Sequence, residues 1–386
     1  ATVAALAGAA TAAMPALAAG DEAAARAILD TARDPAKRVS IIYAVPPFDA
    51  RAAGNGARAA ANLAIAVRRE QAAAALYVLP TEANVNGARD MGIDPLRGPG
   101  GVVPAAAGMT FDAMIDAATA GTLKAMIVVG DNPPMFAPGR ARIEQALAAL
   151  DLLVVIDGLA TDTAKAAHAV FADVPSYAKT GTYTNADRRV SRLHAALSAL
   201  GDARPALLAL TDLANAMSGA GTWTYAYPDA VTDEIAATVA GYAPFHAARA
   251  VWSKTRVAAE TTRSEQQPVA APAAAPAAGE LLLTTHRALF TSLEGASVHA
   301  ADADKLHRED FVELHPSDAA ALRLRDEDEV RLRTSHGELA LRVRVTDRVL
   351  EGVAFVPSYY GGGAITRLLG PDGAPVPVTA QVAALA

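Results

Sequence analysis

The hydrophobic period of this chain changes once, and the change falls across a tract that cannot itself fold into a core. Residues 264–279 run Ser-Glu-Gln-Gln-Pro-Val-Ala-Ala-Pro-Ala-Ala-Ala-Pro-Ala-Ala-Gly. Such a Pro/Ala sequence has no apolar periodicity and reads as a semi-rigid, polyproline-like linker. Before it, short continuous apolar runs alternate with helical stretches. After it, short strands alternate apolar and polar residues. The expected organisation is therefore an α/β region over 1–262, a linker over 263–279 and a small β domain over 280–386.

Upstream, the runs Val39–Ala44, Leu76–Leu79, Ala125–Val129 and Leu152–Ile156 are aliphatic and rich in β-branched residues. Helical stretches over 56–69, 110–120, 139–150 and 161–171 separate or follow them, with Thr110 as one N-cap. Residues 20–32 read as a further helix opened by Asp21, and more helices are expected near 191–218 and 231–240. Continuous apolar strands alternating with helices predict βαβ units and a parallel sheet buried on both faces. Downstream, 281–285, 311–314, 329–333, 338–345 and 353–356 read as strands. One short helix is expected over 316–322 with Ser317 as its cap. Many short strands in about a hundred residues indicate a small barrel.

Aromatic residues make up 5% of the 386 residues and hydrophobic residues 52%. The core must therefore be built from Val, Leu and Ile packed on Ala-rich helices. The chain has no cysteine, which excludes disulfides, thiolate zinc sites and Cys-ligated iron–sulfur clusters within it. Its 8 histidines show no ligand-type pairing, so no metal is expected on side chains here. A net charge of −7 lacks the basic footprint of a nucleic-acid-binding protein. No segment is apolar enough for a membrane helix. Residues 1–20 read as an Ala-rich helix rather than a signal peptide, and the absence of an initial Met is what a processed or truncated product would give.

Three segments could carry binding chemistry. Gly130-Asp131-Asn132-Pro133 follows an expected strand, where ligands of open α/β sheets sit; it also reads as an ordinary turn. Asp157 ends the next strand and could accept hydrogen bonds from a sugar or a guanine edge. The Thr161-Asp162-Thr163 segment behind it equally suits a helix N-cap. Lys179–Arg189, with Thr184 and Asn185 near its centre, is a polar loop too long for a tight turn. No nucleophile–base pair, P-loop or Gly-x-Gly-x-x-Gly fingerprint is present.

Taken in order, Pro80–Gly92, Lys124–Pro133, Leu150–Asp157, Thr161–Ala164 with Ala172–Pro175, and Gly181–Val190 resemble the molybdopterin oxidoreductase superfamily. The Asn86-Gly87-Ala88-Arg89-Asp90-Met91-Gly92 segment looks most like the branch of that superfamily found in bacterial NADH:quinone oxidoreductase, respiratory complex I, as its cluster-bearing peripheral-arm subunit. Phe311–Leu322, Asp328–Val330 and His336–Leu339 resemble the dinucleotide-binding double-psi barrel of the same superfamily. The resemblance implies a Rossmann-like α/β region followed by that barrel. In catalytic members, pterin dinucleotides lie between these domains, and the Gly-x-Asn-Pro loop and strand-end Asp contact one of them.

Three departures favour the non-catalytic branch. The segment Asp173–Gly181 is shorter than usual, Ala178 stands where glutamate is usual, and the barrel turn reads Asp326-Glu327-Asp328 in place of Asp-Gly-Asp. The resemblance thus implies a scaffold part of that complex I subunit, supporting electron transfer from NADH to quinone through clusters held elsewhere. Gly130, Asn132, Asp157, Thr184 and Asn185 would be vestigial binding positions, with no cofactor in this chain. The partners would be other peripheral-arm subunits of complex I, in the cytoplasm against the inner membrane. The alternative is a fragment of a molybdenum enzyme, such as formate dehydrogenase or nitrate reductase, holding molybdopterin guanine dinucleotide. An interaction protein that borrowed the fold is the third reading.

Overall fold

A computed structural model describes residues 36–247 apart from 46–49 and 71–74, residues 256–257, 276–277, 279–287, 310–358 and 364–382, and a few positions between 27 and 34. Most of the expected helix over 20–32 and most of the 263–279 linker lie outside the described residues, though Ala27, Asp30 and Thr31 are helical. The chain forms two compact units. One contains Ala1–Ala88, Tyr183–Ser191 and Val251–Ala274; the other contains Arg89–Thr182, Arg192–Ala250 and Ala275–Ala386.

In the first unit, β1 (Ser40–Ala44) and β2 (Ala75–Leu79) pair in parallel, joined through helix α1 (Ala50–Glu70). Helix α2 (Val85–Asp90) follows β2. A Cβ on Gly56 of α1 would stand 2.6 Å from the Tyr43 hydroxyl oxygen, so a larger residue there would push the Tyr43 ring aside.

The second unit has a three-stranded parallel sheet in the order β3 (Ala125–Val129), β4 (Leu152–Asp157), β5 (Ala169–Ala172). One face packs on helices α3 (Phe111–Thr119) and α5 (Arg140–Ala148). Ile115, Ile143, Leu147, Leu153 and Val155 form that core. Thr110 caps α3 as expected, its hydroxyl accepting from the Ala113 N–H. Arg142 of α5 bonds both Asp112 and Asp116, tying α5 to α3.

The sheet is not buried on both faces throughout. Central β4 is, but Ile127 and Val129 of β3 and Val170 and Phe171 of β5 are exposed. The expected helix over 161–171 also divides. Helix α6 covers only Asp162–Ala166, capped by Thr161, and β5 takes over at Ala169. His168 fixes the switch: its N–H donates to the Leu153 carbonyl, and its Nδ1 accepts from the Leu153 N–H. Likewise 190–193 is strand β7, paired with β6 (Gly181–Thr184), so the Lys179–Arg189 segment is half strand rather than loop. Helices α7 (Ala206–Ser218) and α8 (Pro228–Thr238) follow.

The C-terminal strands close into a six-stranded barrel. In chain order they are β8 (Leu281–Arg287), β9 (Phe311–Leu314), β10 (Glu329–Arg333), β11 (Glu338–Val345), β12 (Val353–Ser358) and β13 (Val376–Val382), arranged 10-11-9-12-8-13. Val312, Leu314, Val330, Leu332, Val343, Ala354 and Val356 are buried, and closure leaves no unpaired edge. The fold class expected from the sequence is therefore the fold observed. The strand at 376–382 is an addition; prolines at 375 and 377 hide its alternation. The short helix α9 (Pro316–Ala321) is capped by His315, whose Nδ1 accepts from the Ser317 N–H, and not by Ser317. Glu327 sits in the left-handed region with φ 67, where a Cβ is disfavoured.

Candidate functional site

Three of the positions singled out in the sequence gather at the carboxyl ends of β3 and β4. Gly130 ends β3 with φ 61, and its N–H donates to the Ile156 carbonyl at 2.8 Å. A Cβ there would meet nothing within 4 Å, so the backbone faces open space. Asn132 is buried. Its Oδ1 accepts from the Thr163 N–H at 3.2 Å and from the Thr163 hydroxyl at 2.8 Å. That acceptor braces the loop against α6.

Asp157 ends β4. Its Oδ1 accepts from the Leu159 N–H at 3.0 Å. Burial pushes its carboxyl above the usual carboxylate range and nearby Asp173 adds to the rise, while the Leu159 and Gly158 N–H groups and Lys179 oppose it. Asp173 is buried and fully engaged. It accepts from the Val174 and Ala206 N–H groups and pairs with Lys179 Nζ at 2.5 Å. Asp157 is therefore the more accessible member of an acidic pair whose other member is neutralised by Lys179.

Thr184 and Asn185 belong to the other compact unit. The Thr184 N–H donates to Asn84 Oδ1. Asn185 closes a turn: its N–H donates to the Arg189 carbonyl, its side chain accepts from the Arg189 N–H, and its own carbonyl accepts from Asn86 Nδ2.

The sequence reading missed a further cluster inside the barrel. The hydroxyls of Thr285 and Ser358 and one carboxylate oxygen of Asp310 are buried without a hydrogen-bond partner. β12 runs antiparallel to β9 with Phe355 opposite Glu313. Asp310 directly precedes β9 and Ser358 ends β12. β12 also pairs with β8, Val356 opposite Thr285 and Ser358 opposite Arg287. Burial raises the Asp310 carboxyl to about 6. Unpartnered buried polar groups are costly and mark a place where a polar ligand can complete the bonding. No residue type or spacing distinguishes these three from ordinary strand residues. Open backbone at Gly130 and a half-engaged acid at Asp157 suit a polar ligand at the strand ends, and the unpartnered barrel groups are a separate place of unfilled polar capacity. Among the described residues, no helix is long and apolar enough to cross a membrane.

Comparison with known proteins bears on what that ligand is. Residues 7–216 match the family described as "Molybdopterin oxidoreductase", and residues 281–385 match the "Molydopterin dinucleotide binding domain". The chain is 30% identical over 342 residues to "NADPH-Fe(3+) oxidoreductase subunit alpha" of Geobacter sulfurreducens, covering 80% of this chain and 37% of that protein. It is 33% identical over 181 residues to "Putative formate dehydrogenase YrhE" of Bacillus subtilis, covering 42% of this chain and 18% of that protein. The chain thus spans well under half the length of these relatives. Among solved structures, "Acetylene Hydratase from Pelobacter acetylenicus" shares the fold with a TM-score of 0.55 at 14% identity, over 72% of this chain and 47% of that one.

These matches correct the expectation that the chain has no cofactor. A matched dinucleotide-binding domain together with unfilled barrel polar groups points to a molybdopterin cofactor. They also support the pterin-binding alternative over the complex I scaffold reading, since the relatives are formate dehydrogenase-like and NADPH-Fe(3+) oxidoreductase proteins.

Proposed function

Because the chain belongs to the molybdopterin oxidoreductase family, we propose that it is the dinucleotide-holding part of a molybdenum-dependent oxidoreductase of the formate dehydrogenase-like kind. The observation that carries this is the match of the whole barrel, 281–385, to a pterin-dinucleotide domain whose interior polar groups lack partners. When bound, the cofactor supplies the redox chemistry itself.

The chain's own residues bind and orient. At Gly130 the absence of a side chain leaves the backbone free to approach a phosphate or sugar. Asp157 offers an acceptor oxygen to a ribose or base N–H, and burial strengthens that contact by lowering the local dielectric. Thr285, Asp310 and Ser358 offer donors and acceptors from the barrel. Asp310, with a carboxyl near 6, carries a proton through mildly acidic pH and then acts as a donor. Without cysteine thiolates, this chain passes electrons onward through centres held outside these 386 residues.

The test is elemental analysis of the protein isolated with its native partners, together with fluorescence of the oxidised pterin it releases. Molybdenum or tungsten with pterin near one equivalent or more per chain is the expected result. A folded protein with neither metal nor pterin would overturn the reading.

A further inference from the structure

A short strap of chain between β12 and β13 ties the barrel to the loop that follows β3. In it Ile365, Thr366, Leu368 and Leu369 are buried to 2% exposure or less. On one side the strap is held by the β10–β11 turn. The Thr334 hydroxyl donates to the Leu368 carbonyl at 2.8 Å. A Cβ on Gly337 would stand 2.7 Å from the Arg367 carbonyl oxygen, an approach only glycine permits.

On its other side the strap meets the helical turn α4 (Pro133–Phe136) and the start of α5. The Gly139 N–H donates to the Thr366 carbonyl at 3.1 Å, and the Thr366 hydroxyl donates to the Pro134 carbonyl at 3.1 Å. The second bond answers a need written in the sequence. In a helix the Pro134 carbonyl would accept from the N–H of residue 138, but that residue is proline and has none. The turn also ends at Phe136, so a buried carbonyl is left over that must find a partner elsewhere. Thr366, fully buried, supplies it. Arg367 adds a longer contact to Glu144, which pairs with Arg140 and, through Arg140, with Asp162 of α6.

We propose that Thr366 is a positioning residue for the cofactor site: by holding the Pro134 carbonyl it lets the barrel fix the Gly130–Asn132 backbone beyond the end of β3. The inference rests on the pterin-binding reading above. The segment is held by Gly130 on Ile156 of β4, by Asn132 on Thr163 of α6 and by Pro134 on Thr366, and of these three the last comes from the barrel side. A loop that loses this hold keeps its fold but not its setting, and binding that depends on backbone approach is sensitive to displacements of about 1 Å.

The experiment compares Thr366→Val and Thr366→Ser in the protein with its native partners, by hydrogen exchange of the amides of 135–137 and 139 and by the half-time of pterin loss on dialysis. In Thr366→Val both exchange and pterin loss should speed up about tenfold, the factor lost with one ordinary buried hydrogen bond. Thr366→Ser, which keeps the hydroxyl, should restore both. Faster exchange with unchanged pterin retention would reduce Thr366 to a structural role, and unchanged exchange would overturn the proposal outright. A parent protein without pterin would instead remove the reading beneath it, and the proposal with it. Should Thr366→Val unfold the barrel, seen as global exchange of the β8–β13 amides, Thr334→Val loosens the strap from its other side and makes the same test.

Discussion

The barrel and the three-stranded sheet of the same compact unit use similar strands and treat them differently. Barrel strands are half apolar: Val330 and Leu332 of β10 face inward and are fully buried, while Arg331 and Arg333 between and beyond them face out. Sheet strands are apolar until their ends, where β4 closes on Asp157. Yet only β4, flanked on both sides, buries both faces; β3 and β5 leave Ile127, Val129, Val170 and Phe171 exposed. Closure lets the barrel complete its burial with its own strands. An open parallel sheet depends on elements laid over it, so its burial follows position rather than composition.

The largest effect that sharpens this contrast is in the barrel interior. Leu332→Ala should cost about 2–5 kcal/mol, because a closed barrel cannot collapse around the void. Denaturant unfolding followed on the barrel measures it, and a loss under about 1 kcal/mol would mean the barrel is loosely packed.

The next effect is electrostatic. Asp310 carries a carboxyl raised to about 6 by burial. Below about pH 3 both folded and unfolded chains hold this proton. As pH rises toward 6 the unfolded chain loses it first, so stability should fall by up to about 3 kcal/mol and then level off. Asp310→Asn should flatten that segment of the pH–stability curve. An unchanged curve in the variant would place the titration elsewhere.

A smaller gain is expected at the barrel turn. Glu327 holds φ 67 where the superfamily's turn has glycine. Glu327→Gly should therefore raise stability by about 0.5–1 kcal/mol by relieving left-handed strain. A loss of stability would show that the Glu327 side chain, through its contact with Arg342, outweighs the strain. Smallest of all is the open sheet. Ile127→Thr on exposed β3 should change stability by no more than about 0.5 kcal/mol, and a cost near that of Leu332→Ala would show that this face is covered in the working protein.

The same contrast explains what the sequence disclosed. Barrel strands were legible because alternation reports which side of a strand is wet, and 329–333 and 338–345 were placed to the residue. β13 was not, since Pro375 and Pro377 resemble a break. In the α/β region the strands were legible and the helices less so. Thr161 announced a helix, but nothing local announced that His168 would end the helical reading by bonding Leu153 on the neighbouring strand.

Of the candidate site, Gly130 and Asp157 were singled out because strand ends in α/β sheets are where ligands bind. Asn132 was singled out with them, though its bonds to Thr163 could not be foreseen. Thr285, Asp310 and Ser358 were invisible, being far apart in sequence and of ordinary strand-residue type. The departures at Ala178 and Glu327 led toward an absent cofactor. The structure accommodates one of them as local strain at a turn, which says nothing about the site.

A pterin dinucleotide held at the β3–β4 strand ends, as proposed above, would depend on Asp157, and Asp157→Asn tests this most directly. The variant keeps size and removes the charge of the half-buried acceptor, so the protein isolated with its native partners should melt normally. It should retain about a tenth or less of the parent's pterin, the loss expected when a charged hydrogen bond to a buried ligand is removed. Full pterin retention in a normally melting Asp157→Asn protein would contradict the claim.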